Sequence, residues 1–311
     1  MTETTTRRSR GGAGRGRLDV RKTYKLYVGG KFPRSESGRS YEVFSAGRSP
    51  KFLANAALGS RKDARDSVKA AKAALSGWAG ATAYNRGQVL YRVAELMEGR
   101  REQFVTEVVA AEGLTRARAQ AVVDRAIDRW VWYAGWSDKI AQVTGNLNPV
   151  AGPYFDISAP EPTGVVAVLA PQRSSLLGLV SVLAPVVVSG NVAVVLASQE
   201  RPLPAITLTE VLATSDVPGG VVNVLTGRTA EVAPWLASHQ DVNAIDLTGA
   251  AGAEDVDWGE LERSAAENLK RVLRPAGDGA DAVEPDFATE PDLSRVRAFL
   301  ETKTVWHPKG R

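Results

Sequence analysis

From Thr163 onward the chain alternates short, nearly continuous apolar runs with longer stretches of mixed character. VVAVLA (165–170), VAVVLA (192–197), VVNVL (221–225) and VNAIDL (242–247) are nearly continuous apolar runs rich in valine. Such runs suit strands whose two faces are both covered, because no position is left to alternate towards water. The intervening segments, around Leu176 to Val188, Pro204 to Ala213 and Ala230 to Ser238, are long enough for right-handed crossover helices. The pattern predicts an α/β unit with a doubly wound parallel sheet.

Before Thr163 the period changes. KLYVGGKFPRSESGRSYEV predicts short strands with a turn at Gly29-Gly30. Ser60-x-x-Asp63 has the spacing of a capping box, in which hydroxyl and carboxylate satisfy free N–H groups at a helix start. A helix through Val68, Ala71 and Leu75 to Gly77 should follow. A second helical stretch, AYNRGQVLYRVAELMEGRREQFVTEVV, sets Leu90, Val93 and Met97 on one stripe, and a third runs from Arg116 to Lys139. Trp130, Trp132, Tyr133 and Trp136 on the third helix read as a packing face. Prolines 149, 153, 160 and 162 then punctuate an extended hairpin at about 140–162.

After the sheet, WGELERSAAENLKRVL predicts one more helix, stopped by Pro275. Residues 276–292 hold six acids, no base and two prolines. That composition predicts a solvated acidic linker over 275–294, without the glycine and glutamate spacing of a calcium loop. RAFLETKTVWHP, within 295–311, predicts a final strand. The body of the chain is thus expected at 23–274.

Charge and composition narrow the functions available. The 311 residues carry a net charge of +4, but residues 1–22 hold seven basic and two acidic side chains, which leaves 32 basic against 33 acidic in the remainder. The basicity belongs to a tail of Arg, Gly, Ser and Thr that has too little apolar surface to order itself and is expected to be disordered. Nucleic-acid binding through that tail ranks last among the readings. Arg7-Arg8 is followed by no apolar stretch, so no export signal is read and the expected location is cytoplasmic. The uncharged run from Ser174 to Gln199 is divided by Pro185 and the Ser189-Gly190-Asn191 turn into a helix and a strand, and no membrane span is expected. The chain contains no cysteine and two histidines, His239 and His307. Disulfides and thiolate metal sites are therefore excluded, and no metal site is assigned.

The order of the pieces resembles the aldehyde dehydrogenase superfamily. The matching motifs are KLYVGGKF, SGRSYEV, NRGQVLYRVAELME, WYAGWSDK, EPTGVVAVLAP, SGNVAVVLA, LPAITLTEVL, PGGVVNVLTG, AIDLTG and ENLKRV, across residues 24–274, followed by ETKTVWHP near the end. Each motif is weak alone, and their collinear order carries the assignment. The resemblance implies a Rossmann-like cofactor domain with N-terminal helices and a small β element for oligomerisation.

It also implies chemistry that these residues do not reproduce. In that family a cysteine adds to the aldehyde carbonyl, because the aldehyde hydrogen leaves as hydride only once a tetrahedral alkoxide has formed. No cysteine is present. The loop whose asparagine steadies the oxyanion reads Pro171-Gln172-Arg173-Ser174-Ser175, and the family's glutamate falls at Pro275. The catalytic domain that follows in the family is replaced by the acidic stretch, so no catalytic residue is assigned.

The cofactor half is partly retained. Ala197-Ser198-Gln199-Glu200 matches the segment that holds the adenosine ribose, with the lysine lost and Glu200 kept. Gly227 matches the glycine beside the adenine. Thr248 and Gly249 match the turn whose helix N-terminus faces the pyrophosphate, with Ala250 in place of its serine. Loss of a charged hydrogen bond costs about 1.5–3 kcal/mol, so NAD or NADP binding is expected to be weak. The resemblance favours a non-catalytic subunit that assembles with itself or with a full-length aldehyde dehydrogenase. The alternative is an NAD(P)-dependent oxidoreductase acting on aldehydes through other residues.

Overall fold

The structure is a computed structural model that describes residues 22–277 and 281–310. The expected disordered tail therefore lies outside the described residues, apart from Lys22. Strands β1 (Thr23–Tyr24), β2 (Ser40–Phe44) and β3 (Phe52–Ala57) form a small sheet in the order β1-β3-β2. Between β1 and β2, Gly29 and Gly30 both take positive φ, 61° and 77°, and close a tight turn in which Val28 and Lys31 exchange backbone hydrogen bonds. Glycine is required at Gly30 for a second reason, since a Cβ there would stand 2.9 Å from the Gly219 Cα.

Helix α1 (Arg61–Gly80) starts at the expected capping box. The Ser60 hydroxyl accepts from Asp63 N–H and the Asp63 carboxylate accepts from Ser60 N–H. The second helical stretch is two helices, α2 (Ala83–Gly99) and α3 (Arg101–Glu112). The chain leaves helical geometry at Arg100, whose guanidinium reaches Glu210 at 3.2 Å. The break gives α3 its own direction, so that Phe104, Val105 and Val108 are buried where it meets the following helix and α7, described below. Helix α4 (Arg116–Trp136) buries Trp130 and Tyr133 and half-buries Trp132 and Trp136, as a packing face requires. A short α5 (Ile140–Thr144) leads to β4 (Asn146–Asn148) and β5 (Tyr154–Pro162).

The main sheet begins at β6 (Val165–Leu169) and continues through α6 (Leu177–Val188), β7 (Val192–Leu196), α7 (Leu203–Leu212), β8 (Val222–Leu225), α8 (Thr229–Ser238) and β9 (Ala244–Asp246). Every residue of these four strands is buried. A 3-10 turn over Thr248–Gly252 leads to α9 (Trp258–Ala266) and β10 (Arg271–Leu273). Five parallel strands stand in the order β10-β9-β6-β7-β8, the doubly wound sheet expected from the pattern. Helices α1 and α8 contact one face, whereas α6 and α7 lie against α2, α3 and α4 on the other. Tyr27 exchanges backbone hydrogen bonds with Val224 at 2.9 and 2.7 Å, which covers the exposed edge of β8.

The predicted helix through ENLKRVL is shorter than expected. It ends at Ala266, Leu269 takes φ 59° and is 91% exposed, and the next residues pair with β9 as β10. Finally, α10 (Ser294–Ala298) precedes β11 (Leu300–Pro308), which runs antiparallel to β5 from Leu300 opposite Pro162 to Pro308 opposite Tyr154. Among the described residues no helix is long and apolar enough to cross a membrane.

Candidate functional site

In a doubly wound sheet the chain runs outward in both directions from one pair of strands, and ligands bind outside the carboxyl ends of those strands. Here β9 and β7 flank β6, so the crevice lies beyond Leu169 and Asp246. The loop after β6 forms one wall. Gln172 locks that loop: its side-chain amide donates to Ala170 O at 2.8 Å, while its Oε1 accepts from Gln199 N at 2.9 Å. Ser198 Oγ adds a bond to Gln172 O at 3.0 Å, and thus the ends of β6 and β7 are tied together.

The loop delivers the chain into α6, and the N–H groups ahead of a helix attract negative charge. Two carboxylates bind this loop, Glu112 just ahead of the helix and Glu284 earlier, at Gln172 and Arg173. Glu112 accepts from both the backbone N–H and the hydroxyl of Ser175 at 2.7 Å, and burial raises its pKa despite those bonds and the nearby charge of Arg201. Glu284 accepts from Gln172 N–H and, at 3.2 Å, from Arg173 N–H. Ser174 Oγ accepts from Gly178 N–H at 2.9 Å.

Glu284 belongs to the acidic stretch that composition assigned to solvent. Part of it, from Glu284 to Thr289, is instead packed on the body. Phe287 is 8% exposed, and its ring lies in the hollow left by Gly178, where a Cβ would approach it to 3.1 Å. Arg129 of α4, also buried, donates to Phe287 O at 3.1 Å, Thr289 O at 2.9 Å and Ser181 Oγ at 2.9 Å. Beyond the stretch, Arg295 reaches Asp246 at 2.8 Å and the Thr248 hydroxyl at 3.0 Å. A cleft of about 330 Å³ remains between the β6 loop, Gly252 and residues 282–288. None of Glu112, Arg129, Glu284 and Arg295 was singled out from sequence. The one available signal was a lone phenylalanine among acids.

The four residues matched to a cofactor site are placed along the carboxyl edge of the sheet, on both sides of β6. Glu200 is exposed after β7 and lines a cleft of about 400 Å³ with Arg201, Glu42 and Phe44. Gly227, with φ 149°, is buried against Gly59, and a Cβ there would come within 3.1 Å of Gly59 N. Thr248 is buried, its N–H and hydroxyl both directed at Asp246 Oδ1. Gly249 presses on the end of β6, where a Cβ would stand 2.0 Å from Ala170 O. The helix expected to start at this turn begins only at Trp258, capped by Asp257. Glu200 alone of the four lines the 400 Å³ cleft.

The third sheet, in the order β11-β5-β4, carries an apolar row. Leu147, Ile157 and Val305 are directly opposite one another across its three strands, with Phe155 two residues before Ile157 on the same face. They are 61%, 44%, 38% and 47% exposed, respectively. Among the described residues no group of three or more His, Cys, Asp or Glu side chains could hold a metal ion.

Residues 32–278 match the profile described as "Aldehyde dehydrogenase family". The chain is 30% identical over 257 residues to "Aldehyde dehydrogenase, cytosolic 1" of Elephantulus edwardii, covering 81% of this chain and 50% of that protein. It is 29% identical over 265 residues to the cytosolic 10-formyltetrahydrofolate dehydrogenase of Mus musculus, covering 84% of this chain and 29% of that protein. Among solved structures, an NADP-dependent enzyme of E. coli superposes with a TM-score of 0.76 at 22% identity, covering 83% of this chain and 52% of that one. The NAD+ complex of an aldehyde dehydrogenase from Bacillus cereus gives 0.75 at 23%, covering 82% and 51%. The chain thus spans about half or less of the proteins it resembles.

Proposed function

The chain belongs to the aldehyde dehydrogenase family, and from that membership we propose that it works as a non-catalytic subunit, assembling with its own copies or with a full-length member of the family. The observation that carries this reading is the absence of any thiol from the 311 residues. Without a nucleophile of that kind the carbonyl is not converted to the alkoxide from which hydride departs. Pro275 stands where the resemblance calls for a glutamate base, and its ring nitrogen has no proton to exchange. The loss of a nucleophile in comparable covalent catalysis costs on the order of 10⁶ in kcat.

Assembly is supported by the β11-β5-β4 sheet. Four large apolar side chains exposed on one face suit burial against another chain. Obligate interfaces of this apolar type commonly bury more than about 2,000 Å². NAD or NADP is held weakly in this reading, with Glu200 near the ribose and Gly227 near the adenine. A cytoplasmic location is supported by the cytosolic relatives.

The test has two parts. Mass photometry of the purified protein, alone and mixed with a full-length aldehyde dehydrogenase, should show an assembly that Phe155→Lys with Val305→Glu dissolves. NADH formation over a panel of aldehydes should stay at the buffer rate. A monomer indifferent to partners, or clear turnover by the chain alone, would end the proposal.

A further inference from the structure

We infer that the segment from Glu284 to Thr289 is a displaceable intrachain occupant of the sheet crevice, in which the Glu284 carboxylate holds the seat of an external anion. Three separate contacts point to this. First, the seat has the chemistry of an anion site: two successive backbone N–H groups, of Gln172 and Arg173 in the loop between β6 and α6, converge on one carboxylate, beside the strands where the winding reverses. Gly252 closes the opposite side, where a Cβ would stand 2.4 Å from Glu284 Oε1. The carboxylate is therefore enclosed between the loop after β6 and the turn after β9, the two elements that an incoming anion would touch.

Second, the anchor is specific in shape. Phe287 fills the hollow over Gly178, three residues along from the carboxylate, so the segment is held at two points of different chemistry. Third, it is held through its backbone. The buried Arg129 has no carboxylate among its hydrogen-bond partners and spends two N–H groups on the carbonyls of Phe287 and Thr289. A guanidinium that satisfies two carbonyls of one segment orders that segment.

The occupant is bound less deeply than the core. The adjoining cleft of about 330 Å³ remains along its flank, and most of its other side chains are exposed or half-buried. A phosphate-bearing ligand approaching the crevice meets Glu284 before it meets the N–H groups, and its anion and that carboxylate repel. Binding then requires the segment to leave, which lowers the apparent affinity by the fraction of molecules already open. The inference stands apart from the assembly reading, because it concerns one chain and holds for a monomer.

The experiment compares the parent with Glu284→Gln, with Glu284→Ala/Phe287→Ala, and with Arg129→Met, which loosens the segment from its other side. Far-ultraviolet circular dichroism and a melt establish that each is folded. Inorganic pyrophosphate and NAD+ are titrated by calorimetry at low salt. The folded variants should bind pyrophosphate at least tenfold more tightly than the parent. A synthetic peptide of residues 281–292, added in excess to the double variant, should return it to the parent's affinity. A gain for pyrophosphate alone assigns the seat to small oxyanions, and a gain for both ligands assigns it to a dinucleotide. Folded variants that bind pyrophosphate no better than the parent, or a peptide that fails to compete, would overturn the inference.

Discussion

Substituting Gly249 by alanine separates two roles for one residue. If Gly249 serves only to let a cofactor phosphate approach, Gly249→Ala leaves the protein as stable as before and weakens dinucleotide binding. The structure gives a different expectation. An added Cβ stands 2.0 Å from Ala170 O, 2.4 Å from Ala170 C and 2.5 Å from Leu169 O. All three are backbone atoms at the end of β6, the strand flanked by β9 and β7, so no flexible side chain can give way. Overpacking of a well-filled interior costs about 1–3 kcal/mol, and a clash confined to backbone belongs at the upper end. At about 2–4 °C per kcal/mol for a chain of this size, Tm should fall by roughly 6–12 °C. Gly77→Ala is the control: it lies within α1 with nothing within 4 Å of the added methyl, and should stabilise by about 0.5–1 kcal/mol. Thermal melts followed at 222 nm without ligand read both effects. A Gly249→Ala protein that melts with the parent would refute the close approach.

Ser60→Ala removes the hydroxyl that accepts from Asp63 N–H and should cost about 1 kcal/mol in urea unfolding. Trp78→Phe removes the indole N–H that donates to Val187 O at 2.9 Å; the carbonyl keeps the Gly190 N–H at 3.2 Å, so loss of the bond should cost about 0.5–1.5 kcal/mol by the same measurement. Glu107 accepts from the Tyr24 and Thr207 hydroxyls, its second oxygen is buried without a partner, and burial raises its pKa. A carboxyl raised on folding contributes stability in acid that is lost as pH rises from the ordinary glutamate value through the raised one. Glu107→Gln should therefore reduce the fall in urea midpoint between pH 5 and pH 8. Glu112, shifted in the same direction, keeps part of that slope. An unchanged slope in Glu107→Gln would show that the carboxyl ionises as it does in water.

The features legible in sequence are those fixed by near neighbours. Ser60 and Asp63 are three residues apart, and their capping box needs nothing beyond that turn. The four apolar runs announce buried strands because each position faces a covered side. Two helix ends were not legible. At Arg100 the interruption of α2 and α3 carries no proline, and the preceding Gly99 is tolerated inside many helices. At the break Arg100 pairs with Glu210 of α7, a residue remote in sequence. After Ala266 the helical period continues in the residue pattern, yet Arg271–Leu273 gain a full set of parallel bonds with β9, and the exposed Leu269 turns the chain to reach them. Pairing with a distant strand outweighs a modest local preference.

Composition misleads about the acidic stretch for a more general reason. Six carboxylates without a base look solvated when charge is balanced against charge, since the expected partner of a buried acid is Lys or Arg. The backbone is a partner that such a count omits. At Gln172 and Arg173 it offers two donors aimed the same way, and Glu284 uses them without any cationic side chain. Conversely, Arg129 lies in a helix read as an aromatic packing face, and its partners are two carbonyls of that same acidic stretch and a serine hydroxyl. Glu284 and Arg129 thus hold the same segment at different points without meeting each other. Their pairing through main-chain groups is invisible to any pattern of side-chain charge, and it becomes apparent only once the sheet has brought the end of β6 beneath residues 284–289.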